Sequence, residues 1–137
     1  MTDTNIILLL FVIKHFIADA LLQTPYQYLN KGTFCHPGGI IHAAIHGLLT
    51  GLIALYVGVD ILIIHSLILL DATIHYFIDY IKINIGKLYH WSEYKKDNIN
   101  NIEYLTIYSN KFFILLILDQ CLHFITYIIL TYILIIE

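Results

Sequence analysis

Four apolar stretches of this sequence each carry a pair of side chains that can bind metals or carry protons, spaced four positions apart. The pairs are His15 with Asp19, His42 with His46, His75 with Asp79, and Asp119 with His123. On an α-helix this spacing places both members on one face, one turn apart. Ionisable groups inside membrane-spanning helices are costly and mark function by default. The pairs are therefore the candidate chemistry of the chain.

The composition predicts an integral membrane protein. Hydrophobic residues make up 59% of the 137 residues and charged residues only 12%, and the mean hydropathy is +0.78. These values lie outside the range of ordinary soluble domains. A formal charge of -3 and the lack of a basic run with interleaved aromatic residues argue against a nucleic-acid partner. We expect one membrane domain over residues 1–137, with lipid as its surroundings.

Hydrophobic runs and breakers predict an all-α fold, a four-helix transmembrane bundle. The predicted spans are about residues 5–22, 38–57, 61–82 and 111–136, each near the roughly 20 residues that a bilayer crossing needs. The first span lacks a basic leader and a cleavage site, so we expect a retained helix. Prolines punctuate a linker from Gln23 to Pro37. A short turn from Gly58 to Asp60 returns the chain antiparallel.

The longest polar stretch, about residues 83–110, combines lysines with several tyrosines and one tryptophan. These aromatic side chains prefer the headgroup level of a membrane. Apolar and aromatic residues also recur there at steps of three and four, which predicts a short amphipathic helix lying on the membrane surface. Its members are Ile99, Ile102, Tyr104, Leu105 and Tyr108. We therefore expect an interfacial segment between the third and fourth spans.

Lysines set the expected orientation, because the chain has no arginine. All but one of the seven lysines fall in or beside the first and third connections, which a four-span bundle places on one side. The positive-inside tendency makes that side cytoplasmic. We expect the inner membrane as the location, with both termini on the non-cytoplasmic side. Lys14, inside the first span, must snorkel or pair with a carboxylate.

Counted along the predicted helices, all four pairs lie at a similar depth. A rise of about 1.5 Å per residue puts them roughly 5 to 18 Å from the lysine-rich ends of their spans, in the cytoplasmic half of the bilayer. Facing lipid would leave them unsatisfied in hydrocarbon, so a bundle turns them inward. We therefore expect one polar layer of five imidazoles and three carboxylates.

Nitrogen and oxygen donors without thiolates suit divalent transition metals. Zinc is the first expectation, with manganese and iron as alternatives. The candidate ligands are His15, Asp19, His42, His46, His75, Asp79, Asp119 and His123. Eight donors could supply one or two ions at about four ligands each, and the spacing favours two. The carboxylates Asp19, Asp79 and Asp119 are also the candidate catalytic groups.

Polar residues flank the layer on three of the helices. Gln23 extends the first stripe and lies at its mouth, and Lys82 follows Asp79 by three positions. Both could bind a polar headgroup, although anchoring the helix end is the more ordinary role for Lys82. Asp71 continues the third stripe as a candidate supporting partner of the ligands. Gln120 could donate to a ligand carboxylate.

The ordered motifs resemble a known family. They are the segments 15–23 (HFIADALLQ) with Lys31, 42–46 (HAAIH), 75–82 (HYFIDYIK) and 119–123 (DQCLH). Together they resemble the small bacterial and phage membrane proteins grouped as domain of unknown function 3307. The resemblance covers most of the chain and implies that these positions act as a set. It adds Lys31 to the candidate substrate-binding residues and supplies no reaction. Ala20 departs from the aromatic residue that the family pattern leads us to expect.

We expect a membrane-embedded metal-dependent hydrolase that acts on a phosphoester or lipid-linked substrate from the inner leaflet. A metal lowers the pKa of water and stabilises developing charge. Two alternatives belong to other classes. One is a transporter or channel for protons or divalent metals, which would need polar groups across the whole membrane. The other is a small membrane adaptor with a structural metal site. The sequence leaves the oligomeric state open.

Overall fold

The computed structural model describes residues 3–96 and 103–137, which fold as a helical bundle with a small hairpin. The elements, in chain order, are α1 (Thr4–Phe16) running on as a π-helical turn (Ile17–Leu21), α2 (Pro25–Asn30), α3 (Pro37–Val57), α4 (Ile61–Leu88), β1 (Ser92–Lys96), β2 (Glu103–Ile107) and α5 (Lys111–Ile136). Helix α1 with its π-helical turn, α3, α4 and α5 are each long and apolar enough to cross a membrane. The predicted four-helix, all-α bundle is confirmed.

The first span ends in a widened turn that the sequence did not predict. Asp3 caps the start of α1, where its carboxylate accepts the Asn5 N–H at 2.8 Å. At the other end the Leu22 N–H donates to the Ile17 carbonyl at 3.0 Å, a bond across five residues. Turns of this kind are rare and occur often at functional sites. This one contains Asp19, a member of the polar layer.

The predicted linker contains a short helix, α2, that orders its first half. Thr24 and Gln27 form a reciprocal capping box, and Pro25 occupies the first turn, where its missing N–H costs nothing. Lys31 then terminates the helix. The first half of the linker is therefore structured, and it fixes the position of Lys31 at the edge of the bundle.

Helices α3 and α4 form the closest pair in the bundle, because glycines face α4. A Cβ atom added at Gly47 would lie 2.5 Å from the backbone carbonyl oxygen of Ile68, and one at Gly51 would lie 2.6 Å from the end of the Ile68 side chain. Gly58, at a φ of 88° that favours glycine, ends α3, and Asp60 caps α4. The predicted antiparallel turn is thus present.

Helix α4 extends six residues past the predicted end at Lys82, to Leu88. Asn84 ties the extension down, since its side-chain amide donates to the carbonyls of Tyr80 and Gly32, at 2.7 and 3.0 Å. The extension therefore rests on the α2–α3 connection, a long-range contact that hydropathy alone does not reveal.

The expected amphipathic helix in the polar stretch is wrong for residues 103–107, which form strand β2. Ser92–Lys96 pairs with it in an antiparallel hairpin, with Tyr94 opposite Leu105. Tyrosine, threonine and isoleucine favour strands, and the partner strand outweighed the helical spacing. Ile99 and Ile102 lie outside the described residues. The position of this hairpin relative to a membrane surface stays a prediction.

The bundle interior divides into an apolar end and a polar end. Near the chain termini the core is hydrophobic, made of Ile7, Phe11, Ile53, Ala54, Ile64, Leu67, Tyr127, Leu130 and Leu134. Beyond it lie the histidines and aspartates, and then the end that carries Lys31, Lys82, Lys87 and Lys111. We call this the lysine-rich end. The apolar core thus forms the floor beneath the polar layer.

Replacing Gly47 by alanine tests the α3–α4 packing. We expect Gly47→Ala to lower the free energy of unfolding by about 1–3 kcal/mol, because the new methyl group meets backbone that cannot rotate away. Gly51→Ala is the matched control. Its new methyl group meets only the flexible end of the Ile68 side chain, and the helix gains the same propensity from both substitutions. Thermal unfolding in detergent compares the two. Equal midpoints for Gly47→Ala and Gly51→Ala would contradict this packing.

Candidate metal centre

All eight side chains of the predicted polar layer lie in one cluster. Three of the histidine rings form a stack, with His46 and His75 centroids 3.5 Å apart and His75 and His123 centroids 4.2 Å apart. His42 meets the His46 ring at 4.9 Å, and His15 meets the His123 ring at 5.0 Å. The four long helices therefore bring their imidazoles to a common level, as the spacing predicts.

The group with the most candidate ligands joins the π-helical turn of the first span to α3 and α4. Its members are Asp19, His42, His46 and His75, each offering one atom, and these atoms all lie within 4.8 Å of one another. Asp19 Oδ1 lies 3.1 Å from His42 Nε2 and 3.3 Å from His46 Nε2. The Nε2 atoms of His42 and His75 are 3.1 Å apart.

These separations match the edges of a metal coordination tetrahedron. Ligand atoms at about 2.0–2.1 Å from a zinc ion lie about 3.3 Å from one another. Three imidazoles and one carboxylate are also a donor set that zinc, manganese and iron accept. The group could therefore hold one divalent ion with little movement of its ligands.

A second acidic group at the layer already contains a cation. Asp79, Asp119 and His123 also come within ligand distance of one another. The Lys82 ammonium lies between the two carboxylates, 2.9 Å from Asp79 Oδ1 and 2.9 Å from Asp119 Oδ2. Lys31 donates to the other oxygen of Asp79 at 3.0 Å. An ion at this position would have to displace Lys82.

Buried atoms without hydrogen-bond partners mark the unsaturated part of the layer. Among the described residues they include Nδ1 of His46, Nδ1 of His75 and Oδ1 of Asp119. A buried polar group left unpaired costs roughly 1–3 kcal/mol. The layer thus contains buried polar atoms that its internal hydrogen bonds leave unpaired.

His15 links the layer to α5 through two partners. Its Nε2 lies 3.1 Å from Gln120 Oε1, and the Tyr127 hydroxyl lies 2.7 Å from its Nδ1. Gln120 also donates to Asp119 Oδ2 at 2.9 Å, as the sequence predicts. Tyr127 was missed, although it follows His123 by four residues and so continues the same helical stripe.

Gln23, Lys31 and Lys82 surround the mouth of the layer at the lysine-rich end. The Gln23 amide lies 3.4 Å from Asp19 Oδ1 and 3.2 Å from the His42 ring nitrogens. All three residues line a cavity of about 260 Å³ beneath the hairpin. Anchoring the helix end was the ordinary expectation for Lys82, and a lysine in a linker, such as Lys31, is ordinarily solvated. Instead both side chains are largely buried and pair with carboxylates.

The hairpin closes this lysine cavity from outside the bundle. Its lining is Gln23, Tyr28, Lys31, Lys82, Ile83, Lys87, Ser92, Glu93, Tyr94, Leu105, Phe112 and Leu116. The Tyr94 hydroxyl donates to the Tyr28 carbonyl at 3.2 Å, and burial raises the pKa of Tyr94. Its hydroxyl is therefore neutral throughout the physiological pH range and keeps the proton that it donates to Tyr28.

Lys14 pairs with a carboxylate, as its burial requires. Its ammonium donates to Asp71 Oδ2 and, at 2.8 Å, to Thr50 Oγ1, and Thr50 donates to the same aspartate oxygen at 2.7 Å. The ammonium also lies 4.8 Å from the centre of the Tyr127 ring. Asp71 was expected to support the ligands. Its hydrogen bonds instead form this separate tie one turn nearer the apolar core, and Thr50 was not predicted.

The fold and this layer define a class: a helical bundle with four membrane-span-length helices and a buried histidine–aspartate cluster. The chain belongs to the family described as protein of unknown function (DUF3307), whose sequence model matches residues 7–137. That range includes every member of the cluster. Searches among curated proteins and among solved structures give no match.

Breaking the Lys14–Asp71 pair tests how strongly the bundle depends on it. We expect Lys14→Met or Asp71→Asn to cost about 3–5 kcal/mol of unfolding free energy, because each leaves a buried group without its partner. The double variant should recover part of that loss. Thermal unfolding in detergent measures the cycle, with the exposed Lys111→Met as control. Losses in the double variant equal to the sum of the single losses would show that the two residues do not interact.

Proposed function

We propose that this protein is a membrane-embedded, metal-dependent hydrolase of phosphoesters. The observation that carries the proposal is the convergence of Asp19, His42, His46 and His75 within 4.8 Å, next to a cavity lined by lysines. A divalent metal and fixed ammonium groups are the usual means of stabilising a phosphoryl group under attack. The protein offers positions for both, side by side.

The proposal uses one ion, held by those four residues. The sequence pattern favoured two, and a second ion stays an open prediction. In this proposal Lys82 serves as the second cation, because its ammonium already bridges Asp79 and Asp119. Zinc is the expected metal from the donor set, with manganese or iron as alternatives. When bound, it would lower the pKa of water and polarise a phosphoryl oxygen.

Charge in the layer favours an anionic substrate once the ion is present. Asp19, Asp79 and Asp119 contribute three negative charges, and Lys31 and Lys82 return two positive ones. A divalent cation would make the sum positive. A phosphate would therefore be attracted to the layer, and the Gln23 amide and the lysine ammonium groups are the donors nearest to it.

His123 is the candidate proton carrier. Its Nε2 lies 3.5 Å from Asp119 Oδ1, so a small shift of either side chain would form a hydrogen bond that orients the ring. His123 also stands outside the four-residue ligand group. Hydrolysis adds water across a P–O bond. The oxygen of water bonds to phosphorus, His123 takes one proton, and that proton passes to the leaving oxygen as the P–O bond breaks. No external oxidant or reductant is needed.

The proposal places the lysine-rich end on the cytoplasmic side of the inner membrane. Lysine counts favour that side, and both chain termini would then lie on the opposite side. The substrate would reach the layer from the inner leaflet.

A transporter is the second candidate, and one contact supports it: Lys14 and Asp71 continue the polar interior one turn beyond the layer. An ion path would have to cross the apolar core that follows, which includes Phe11, Leu67 and Leu130. This apolar core would block an ion path, so it favours the hydrolase over the transporter.

A membrane adaptor with a structural metal would need the ligand group, but it would leave the lysine cavity without a use.

Metal analysis tests the ligand group directly. We expect purified protein to bind close to one zinc ion per chain, with X-ray absorption distances of about 2.0–2.1 Å to nitrogen and oxygen. Asp19→Asn and His46→Gln should weaken zinc binding by more than the 10- to 100-fold that loss of a supporting residue costs. His65→Gln is the control, because His65 lies exposed on α4.

Zinc binding that survives both ligand substitutions would overturn the assignment of the metal site. If metal removal unfolds the chain and the loaded form has no turnover, the adaptor is favoured instead.

Phosphate release tests the reaction. In lipid nanodiscs with zinc, we expect hydrolysis of a phosphomonoester, and Lys82→Met should lower kcat/KM by about 10- to 150-fold, the cost of losing a hydrogen bond to a charged group. Lys82→Arg should restore part of the activity, whereas the exposed Lys111→Met should match the unaltered protein. Zinc or proton flux through liposomes without phosphate release would establish the transporter and remove the hydrolase.

A further inference from the structure

A groove on the lipid-facing side of the bundle reaches the polar layer between α1 and α5. It has a volume of about 530 Å³ and is lined by Val12, His15, Gln120, Cys121, His123, Phe124, Ile125 and Tyr127. Most of its surface is apolar, yet His15, Gln120 and His123 belong to the layer or its hydrogen bonds. The groove lies within two helices long enough to cross a membrane, so lipid chains would surround it.

The groove and the lysine cavity are both lined in part by residues of, or just after, the first span and by residues of α5. On the first span, His15 lines the groove, Gln23 lines the cavity, and Asp19 lies between them four residues from each. On α5, steps of four lead from Phe112 and Leu116 in the cavity to Gln120 in the groove. We call these two rows of residues the seam.

The layer is most open at the first span, which forms one side of the seam. The Asp19 side chain is 32% exposed and His15 is 16% exposed. By contrast, His42, His46 and His75 are almost completely enclosed, each at 1% or less. A substrate can therefore approach the ligand group past Asp19 and His15 more readily than through the α3–α4 side, where the glycines bring the helices together.

The seam resembles a lipid phosphate in having a charged end and an apolar end. At the lysine-rich end it meets the lysine cavity, whose Lys31, Lys82 and Lys87 suit an anionic headgroup. Towards the apolar core it offers Val12, Phe124 and Ile125, which are 45%, 48% and 51% exposed and suit a hydrocarbon chain. A phosphate linked to a chain would place its phosphoester bond between the two, at the level of Asp19.

We propose that the seam between α1 and α5 binds a lipid phosphate that arrives sideways from the bilayer, with its headgroup in the lysine cavity and its hydrocarbon chain in the groove. This inference rests on the proposed function and names its substrate class. The volume of the groove is within the range of small-molecule binding sites, about 300–1,000 Å³. Free inorganic phosphate would fill only the cavity, so the hydrocarbon chain should provide a separate share of the affinity.

Photolabelling tests the seam without requiring turnover. The probe is phosphatidic acid with a diazirine in one acyl chain, added to the whole protein in phosphatidylcholine nanodiscs, and labelled residues are mapped by mass spectrometry. We expect labels at Val12, Phe124 and Ile125. Unlabelled phosphatidic acid should compete for them, whereas inorganic phosphate and diacylglycerol with the same chains should compete poorly, because each supplies only half of the ligand.

A tryptophan placed in the groove provides the matched comparison. Ile125→Trp should lower labelling at Val12 by about tenfold, as expected for displacing two methylene groups from an apolar site. Ile128→Trp adds the same ring to an isoleucine of similar exposure, 48% against 51%, outside the groove, and should leave labelling within about twofold.

Labels scattered over the lipid-facing sides of all four long helices would overturn the proposal, as would equal competition by diacylglycerol. The outcomes also separate this inference from the proposed reaction. Seam labelling in a protein that releases no phosphate refutes only the hydrolase, and phosphate release with scattered labels refutes only the seam.

Discussion

The structure depends on one constraint: ionisable side chains carried by apolar helices must find their partners inside the bundle. In hydrocarbon an unsatisfied polar group costs several kcal/mol, so His15, Asp79 and their counterparts cannot face lipid. Each of the four long helices carries such groups on one stripe, and turning those stripes inward sets the rotation of every helix. The close α3–α4 contact and the Lys14–Asp71 tie then hold those rotations. Fold and candidate site are therefore products of the same requirement.

The spacing predicted the cluster because the separation of two residues along a helix determines which faces their side chains occupy. Residues four apart share a face, so the eight members of the layer could be identified without a structure. The same rule, carried one step further, would have found Thr50 four residues after His46 and Tyr127 four residues after His123. Asp71 shows the limit of the rule. It lies on the predicted stripe, but its partner, Lys14, reaches it from α1, and the position of α1 in the folded bundle decides that pairing. Only tertiary structure decides such pairings.

Two local features were beyond sequence reasoning for physical reasons. Strand β2 forms because β1 supplies its hydrogen bonds, and a spacing rule applied to one segment does not include the partner. The π-helical turn at Ile17–Leu21 has no amino-acid pattern that distinguishes it from a regular helix. A wider turn rotates the residues after it relative to a regular helix. Asp19 lies inside this turn and contacts two histidines of α3. The span boundaries, by contrast, follow hydropathy, and the first, second and fourth agree with the structure closely.

Lys31 and Lys82 have a bearing on how the protein is assembled. Small metal domains often fold only when the ion arrives, because metal binding supplies their folding free energy. In this protein two ammonium groups from the chain itself offset two of the three carboxylates. Insertion into the membrane and association of the helices therefore need not wait for a metal supply. Under the proposed metal-dependent function, loading would be a later and separable event, which a cell could control by metal availability alone.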